Sequence, residues 1–127
     1  MLQRRDPRQF DALFKTGKKV AAFCANCHGE GGNSVKPDIP NLAGQNTAYL
    51  LEQVRQFSEG RRRNEFMEGL IKAMSADEKV GIVVFFSNQD VLYKPAANPA
   101  LASQGKIYYD KICWRCHGDQ GRGSEKF

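Results

Sequence analysis

The chain has 127 residues, 41% of them hydrophobic, enough for one ordinary domain or for one small domain and part of another. Its net charge of +5 comes from scattered basic residues with no aromatic platform between them, so we expect no nucleic-acid partner. No stretch approaches the ~18 apolar residues of a membrane-spanning helix, and the first residues, Met1–Pro7, lack the apolar core of a signal peptide.

The chain begins with a polar stretch that leads into a helix. Residues 1–16 carry only a few apolar positions and predict a lead-in helix or arm. Gly17 to Phe23 predicts a helix that runs on to Cys24. Gly17 could let a second helix pack closely, or it could only start its own helix.

That helix leads into the motif Cys24-Ala25-Asn26-Cys27-His28. Two thiols three residues apart on a helical turn can reach both vinyl groups of one porphyrin and form thioethers. The adjacent imidazole then lies under the iron as the proximal ligand. The motif therefore predicts a covalently attached haem c.

A glycine-rich loop follows His28 and leads to Pro37 and Pro40. A proline carbonyl is an acceptor on a stiff backbone. Pro40 could accept the Nδ1 proton of His28 and orient this ligand, or it could only stiffen the turn.

Two further helices are predicted from capping residues. Asn46 or Thr47 begins a helix that runs to about Ser58 and ends at Gly60. Its side chains at helical spacing predict a buried stripe of Tyr49, Leu50, Val54 and Phe57. Arg61-Arg62-Arg63 follows, either as a solvated cluster or as a group that pairs with haem propionates or docks a partner.

Ser75 and Glu78 form a capping box that begins the next helix. This helix is apolar nearly all round, from Val80 to Phe86, so it should be deeply packed, with the helix of Gly17 as its expected partner.

Two methionines are candidates for the sixth iron ligand of the first haem. We expect Met67 to lie in an irregular segment that brings its thioether over the porphyrin, whereas Met74 could equally be a packing contact beside the capping box. A methionine–histidine pair raises the reduction potential of a haem.

Residues 90–101 predict an extended Pro/Ala linker, after which the chain repeats itself. Cys113-Trp114-Arg115-Cys116-His117 is a second motif, 89 positions after the first. No methionine follows His117. The iron of a second haem is therefore expected to be five-coordinate, water-ligated, capped by Lys126 or completed from outside the chain.

Other sites use the same spacing of cysteines. A zinc ribbon places its second CxxC roughly 15–20 residues after the first and would leave both histidines unexplained. Disulfides within a CxxC are strained and labile. A haem-free zinc or disulfide module, and a small haem protein that binds peroxide or a diatomic gas at an open second haem, remain as alternatives.

Taken together, residues 17–127 resemble class I c-type cytochromes, and more closely the diheme cytochromes c of the c4 type. The resemblance rests on the two CxxCH motifs, on Pro-Asn-Leu-Ala-Gly-Gln at 40–45, on Gly-Arg-Arg-Arg-Asn at 60–64 and on Met67. It implies that Cys24 and Cys27 form thioethers and that His28 and Met67 ligate the iron. It implies the same roles for Cys113, Cys116 and His117 at a second haem.

The resemblance also implies an all-α cytochrome c fold, with one complete domain and the N-terminal part of a second. The expected boundaries are 1–89 for the first domain with its N-terminal arm, 90–101 for the linker and 102–127 for the partial domain. Members of the family are periplasmic and often membrane-associated, so we expect a processed or trimmed product. The expected role is not enzymatic: one-electron transfer between a donor such as quinol–cytochrome c oxidoreductase and a terminal oxidase or reductase.

Overall fold

The computed structural model describes residues 6–123, which form helices and turns without any strand, as expected for an all-α protein. Contacts divide these residues into two compact units, one that ends at Val91 and one that begins at Leu92. The expected domain boundaries stay a prediction.

In chain order the α-helices are α1 (Pro7–His28), α2 (Thr47–Glu59), α3 (Glu65–Ala73), α4 (Ala76–Ser87), α5 (Pro99–Tyr108) and α6 (Trp114–His117). None of the helices between residues 6 and 123 is long and apolar enough to cross a membrane.

Helix α1 runs without a break into the first motif, so the predicted lead-in segment and the helix of Gly17 are one element. Residues 1–5 of that segment lie outside the described residues. The Asp6 carboxylate caps the helix by accepting from the backbone N–H of Arg8 at 3.0 Å. Pro7 fits the first helical position, where no N–H is needed. Both thiols and the imidazole of the motif therefore lie on the last turns of a long helix.

Helix α4 packs against α1, and two glycines permit the close approach. A Cβ on Gly17 would overlap the carbonyl group of Gly81, and a Cβ on Gly81 would lie 2.8 Å from the Gly17 nitrogen. Gly17 is thus a packing residue inside a helix rather than a helix start. The capping box is confirmed, because the Ser75 N–H donates to Glu78 Oε1 at 2.9 Å. Deep packing of α4 is confirmed for most of the apolar run, with buried Ile82, Val83, Val84 and Phe86.

Helix α2 confirms its predicted ends but only part of its predicted stripe. Asn46 accepts from the Tyr49 N–H at 3.0 Å, and Gly60 ends the helix with a φ of +73°. Leu50 and Phe57 are buried, but Tyr49 is 49% exposed. Tyr49 lies on the predicted face, where it borders a cavity, because helical periodicity identifies a face of the helix and not what covers each position on it.

Helix α3 corrects the surroundings predicted for Met67. The sequence predicted an irregular segment here, but Met67 lies in the first turn of α3. Asn64 caps this turn, since its side-chain oxygen accepts from the Met67 N–H at 3.0 Å. A helical turn holds the backbone of Met67 in a fixed place.

Helix α5 begins at Pro99, so the last residues of the segment expected to be extended are helical. Pro99 occupies the first helical position, where proline is tolerated, and Asn98 caps the helix by accepting from the Leu101 N–H at 3.0 Å. A π-helical turn at Tyr109–Cys113 joins α5 to α6. No residue between 92 and 123 is buried.

Candidate haem site

The first motif brings two thiols and an imidazole to one wall of a cavity. Cys24, Cys27 and His28 lie on the last turns of α1, where residues three or four apart share a face. Both cysteines are partly buried free thiols, and burial raises the pKa of the Cys24 thiol. His28 is 8% exposed.

The backbone carbonyl of Pro40 fixes the protonation of the His28 ring. The His28 Nδ1 lies 2.8 Å from the Pro40 oxygen. A carbonyl oxygen only accepts hydrogen bonds, so Nδ1 carries a proton, and in the neutral ring Nε2 then keeps its lone pair. This is the tautomer that an iron ligand needs.

Hydrogen bonds within the loop after α1 keep Pro40 in place. The Leu42 and Ala43 N–H groups donate to the Gly32 carbonyl at 2.8 and 3.1 Å. Gly32 has a φ of +85°, and a Cβ there would lie 2.8 Å from the Phe86 ring. Glycine is therefore required where the loop passes over α4.

The cavity has a volume of about 590 Å³, within the range of small-molecule and cofactor sites. Its apolar walls come from α2, α3 and α4 and include Leu50, Phe57, Ile71, Ile82 and Phe86. Three aromatic side chains that border it, Phe23, Tyr49 and Phe66, remain about half exposed.

Both candidate methionines contribute to this cavity. Met67 lies at the start of α3 and Met74 just after its end. Thus the structure brings Met67 and Met74 to the same space as His28. Two thiols, an imidazole with a free Nε2, a thioether and an apolar cavity fit a covalently attached haem.

The three consecutive arginines separate into two groups. Arg62 and Arg63 border the cavity, and Arg62 lies 4.8 Å from the centre of the Phe57 ring. Arg61 instead pairs with Glu59 at 2.7 Å. All three arginines are exposed, but only Arg62 and Arg63 lie at the cavity.

The second motif repeats the backbone of the first at an offset of 89 residues. The Gly118 N–H donates to the Trp114 carbonyl at 2.8 Å, as Gly29 does to Ala25 at 3.0 Å. Gly118 and Gly29 have φ values of +79° and +80°. Cys113, Cys116 and His117 are exposed, and Lys126 lies outside the described residues.

The second motif has one more residue between its preceding glycine and its first cysteine than the first motif has. Gly105 precedes Cys113 by eight positions, whereas Gly17 precedes Cys24 by seven. The π-helical turn accommodates this insertion, since such turns widen a helix by one residue. The Tyr109 hydroxyl in this turn donates to the Gly118 carbonyl, beside His117.

Sequence reasoning missed several residues at this site. Phe23 and Phe66 border the cavity, and Glu68, which follows Met67 in α3, is buried. A signal for α3 was present, because Asn64 is a capping residue and acidic Glu65 and Glu68 suit a first helical turn.

Comparison with known proteins agrees with this geometry. The family model for cytochrome c matches residues 14–91. This chain belongs to the cytochrome c family. A cytochrome c domain implies a covalently bound haem c, and the expected cytochrome c fold is confirmed.

Individual relatives extend the comparison. The chain is 36% identical to a cytochrome c4 of Pseudomonas aeruginosa, over 84% of this chain and 57% of the relative. It is 36% identical to a thiosulfate dehydrogenase electron acceptor of Thiomonas intermedia, over 77% of this chain and 50% of the relative. The crystal structure of reduced cytochrome c4 from Pseudomonas stutzeri superposes with a TM-score of 0.74 at 32% identity, covering 89% of this chain and 68% of the other. The chain thus spans about half the length of these curated relatives.

Neither haem-free alternative is favoured. The match to the cytochrome c family over residues 14–91 favours attached haem over zinc or disulfides. Within residues 6–123, no cluster of three or more His, Cys, Asp or Glu side chains could hold a metal ion.

Proposed function

We propose that this protein is an electron carrier that transfers single electrons through a haem c held in the first unit. The observation that carries the proposal is the His28 ring, which is fixed by Pro40 with Nε2 available and lies in one cavity with two thiols. A haem c supplies the redox couple of its iron. The chain attaches it through Cys24 and Cys27 and excludes water from it with an apolar wall.

Met67 is proposed as the second axial ligand. It lies in the first turn of α3, where Asn64 fixes its backbone, and the resemblance to cytochromes c4 assigns it this role. Met74 borders the same cavity and provides the matched control.

The test compares Met67→Ala with Met74→Ala in protein produced with haem-maturation machinery. Met67→Ala should lose the methionine–iron charge-transfer band of the ferric state and lower the reduction potential, because a soft thioether favours ferrous iron. Met74→Ala should keep the band. Loss of the band only in Met74→Ala would reverse the ligand assignment. A folded wild-type protein without covalent haem would refute the proposed function.

The proposed partners are redox proteins: a donor such as quinol–cytochrome c oxidoreductase, and a terminal oxidase or reductase. Similarity to cytochromes c4 supports these partners, a periplasmic location and peripheral membrane association. Similarity to proteins named thiosulfate dehydrogenase electron acceptor supports the role of a carrier rather than an enzyme.

A second haem c is proposed at Cys113, Cys116 and His117. The repeated hydrogen bond and positive φ at Gly118 support it, because they give this motif the backbone of the first. Intact mass gives the number of haems per chain. Two haems in the wild type and one in the variant with both Cys113→Ala and Cys116→Ala agree with the proposal. One haem in both proteins would place it at the first motif only and would refute the second haem.

A further inference from the structure

The starting observation is a buried carboxylate that the proposed function does not use. Glu68 is 8% exposed and is the one acidic residue in the buried class among residues 6–123. Burying a charge is costly unless it is paired and hydrogen-bonded, so a buried glutamate calls for a physical reason.

The charge of Glu68 is only partly compensated. Its Oε1 atom is fully buried and accepts no hydrogen bond. The nearest cation is the Arg63 guanidinium, whose Nη1 lies 3.6 Å from Oε1 while the Arg63 side chain is 79% exposed. Water screens the exposed arginine much more than the buried carboxylate.

One member of this pair lines the cavity, and the other neighbours a cavity residue in the chain. Arg63 borders the cavity directly, and Glu68 follows Met67 in the first turn of α3. The Glu68 carboxyl group therefore lies one position along α3 from the proposed iron ligand, in a buried region where Coulomb interactions are stronger than in water.

We propose that the Glu68 carboxylate lowers the reduction potential of the haem in this cavity, with Arg63 as a partial counter-charge; the inference rests on the proposed haem site. Ferric haem carries one more positive charge than ferrous haem. A buried negative charge nearby stabilises the ferric form, and the net charge around an iron centre is one determinant of its potential. Glu68 thus offsets part of the increase in reduction potential that a methionine ligand causes.

The experiment is potentiometric titration of the holoprotein and two glutamine variants. Glu68→Gln keeps the shape of the side chain and should raise the midpoint potential. We expect the ferrous-to-ferric ratio at a fixed ambient potential to rise at least threefold, or about 28 mV for one electron. Glu65→Gln is the matched control, because it removes the same charge from an exposed position in the same helical turn. Its shift should be smaller and should vanish at high salt, whereas the Glu68 shift should persist.

Arg63→Gln removes the partial counter-charge of Glu68 from an exposed position, and it should lower the midpoint potential. Equal shifts in Glu68→Gln and Glu65→Gln, or a fall in potential in Glu68→Gln with the methionine–iron band intact, would overturn the inference. A wild-type protein that lacks covalent haem or the methionine–iron band would instead refute the proposed function, so the two failures are distinguishable.

Discussion

The crossing of α1 and α4 gives the sharpest stability prediction, for Gly17→Ala. The added methyl group would overlap the Gly81 carbonyl and lie 3.0 Å from the Ile82 nitrogen. These are backbone atoms, so no side-chain rotation can relieve the contact. The two helices must move apart, and α1 carries both thiols and the imidazole of the first motif.

The expected cost follows from two opposing terms. Overpacking typically costs ~1–3 kcal/mol, and the backbone contact favours the upper end. Replacing glycine by alanine inside a helix stabilises the helix by about 1 kcal/mol. The net loss in the free energy of unfolding is therefore about 2 kcal/mol. For a unit of this size, such a loss lowers Tm by about 8–16 °C.

Urea unfolding of the holoprotein, followed by far-UV circular dichroism, measures this loss. Gly69→Ala is the matched control, because Gly69 lies inside α3 with nothing within 4 Å of an added Cβ. It should stabilise the protein by up to about 1 kcal/mol. A Gly17→Ala variant as stable as wild type, or stabilised like Gly69→Ala, would refute the reasoning.

Two further predictions concern the motifs. In the folded haem-free chain, Cys24 should be alkylated more slowly than exposed Cys113, and the rate at Cys24 should rise only at higher pH. The reason is that burial raises the pKa of the Cys24 thiol and the thiolate is the nucleophile. Mass spectrometry of digests measures both rates, and equal rates at every pH would contradict this. Tyr109→Phe should lower haem occupancy at the second motif, because the hydroxyl no longer fixes the loop beside the histidine. Intact mass measures occupancy, exposed Tyr108→Phe is the control, and equal occupancy in both variants would show that the hydroxyl is dispensable.

The local features of the fold could be predicted from the sequence. Caps at Asn46 and Ser75 and the helix end at Gly60 were predicted correctly, because a cap depends on residues within one helical turn. The errors at Met67 and Pro99 have the same origin. Met67 was assigned to an irregular segment and Pro99 to an extended linker. In both cases a capping asparagine begins a helix there: Asn64 stands three residues before Met67, and Asn98 directly before Pro99.

The sequence alone determined the cytochrome c family, since its motifs place chemically linked residues next to one another in the chain. Tertiary structure decided which distant residues share the cavity. The Pro40 carbonyl lies within hydrogen-bond distance of the His28 ring, although twelve positions separate them in the chain. Arg62 and Arg63 border the cavity while Arg61 does not, and Glu68 is buried. No local pattern contains these facts, because burial and contact at such distances depend on how whole helices pack, and a shift of a few tenths of an ångström decides whether two atoms meet.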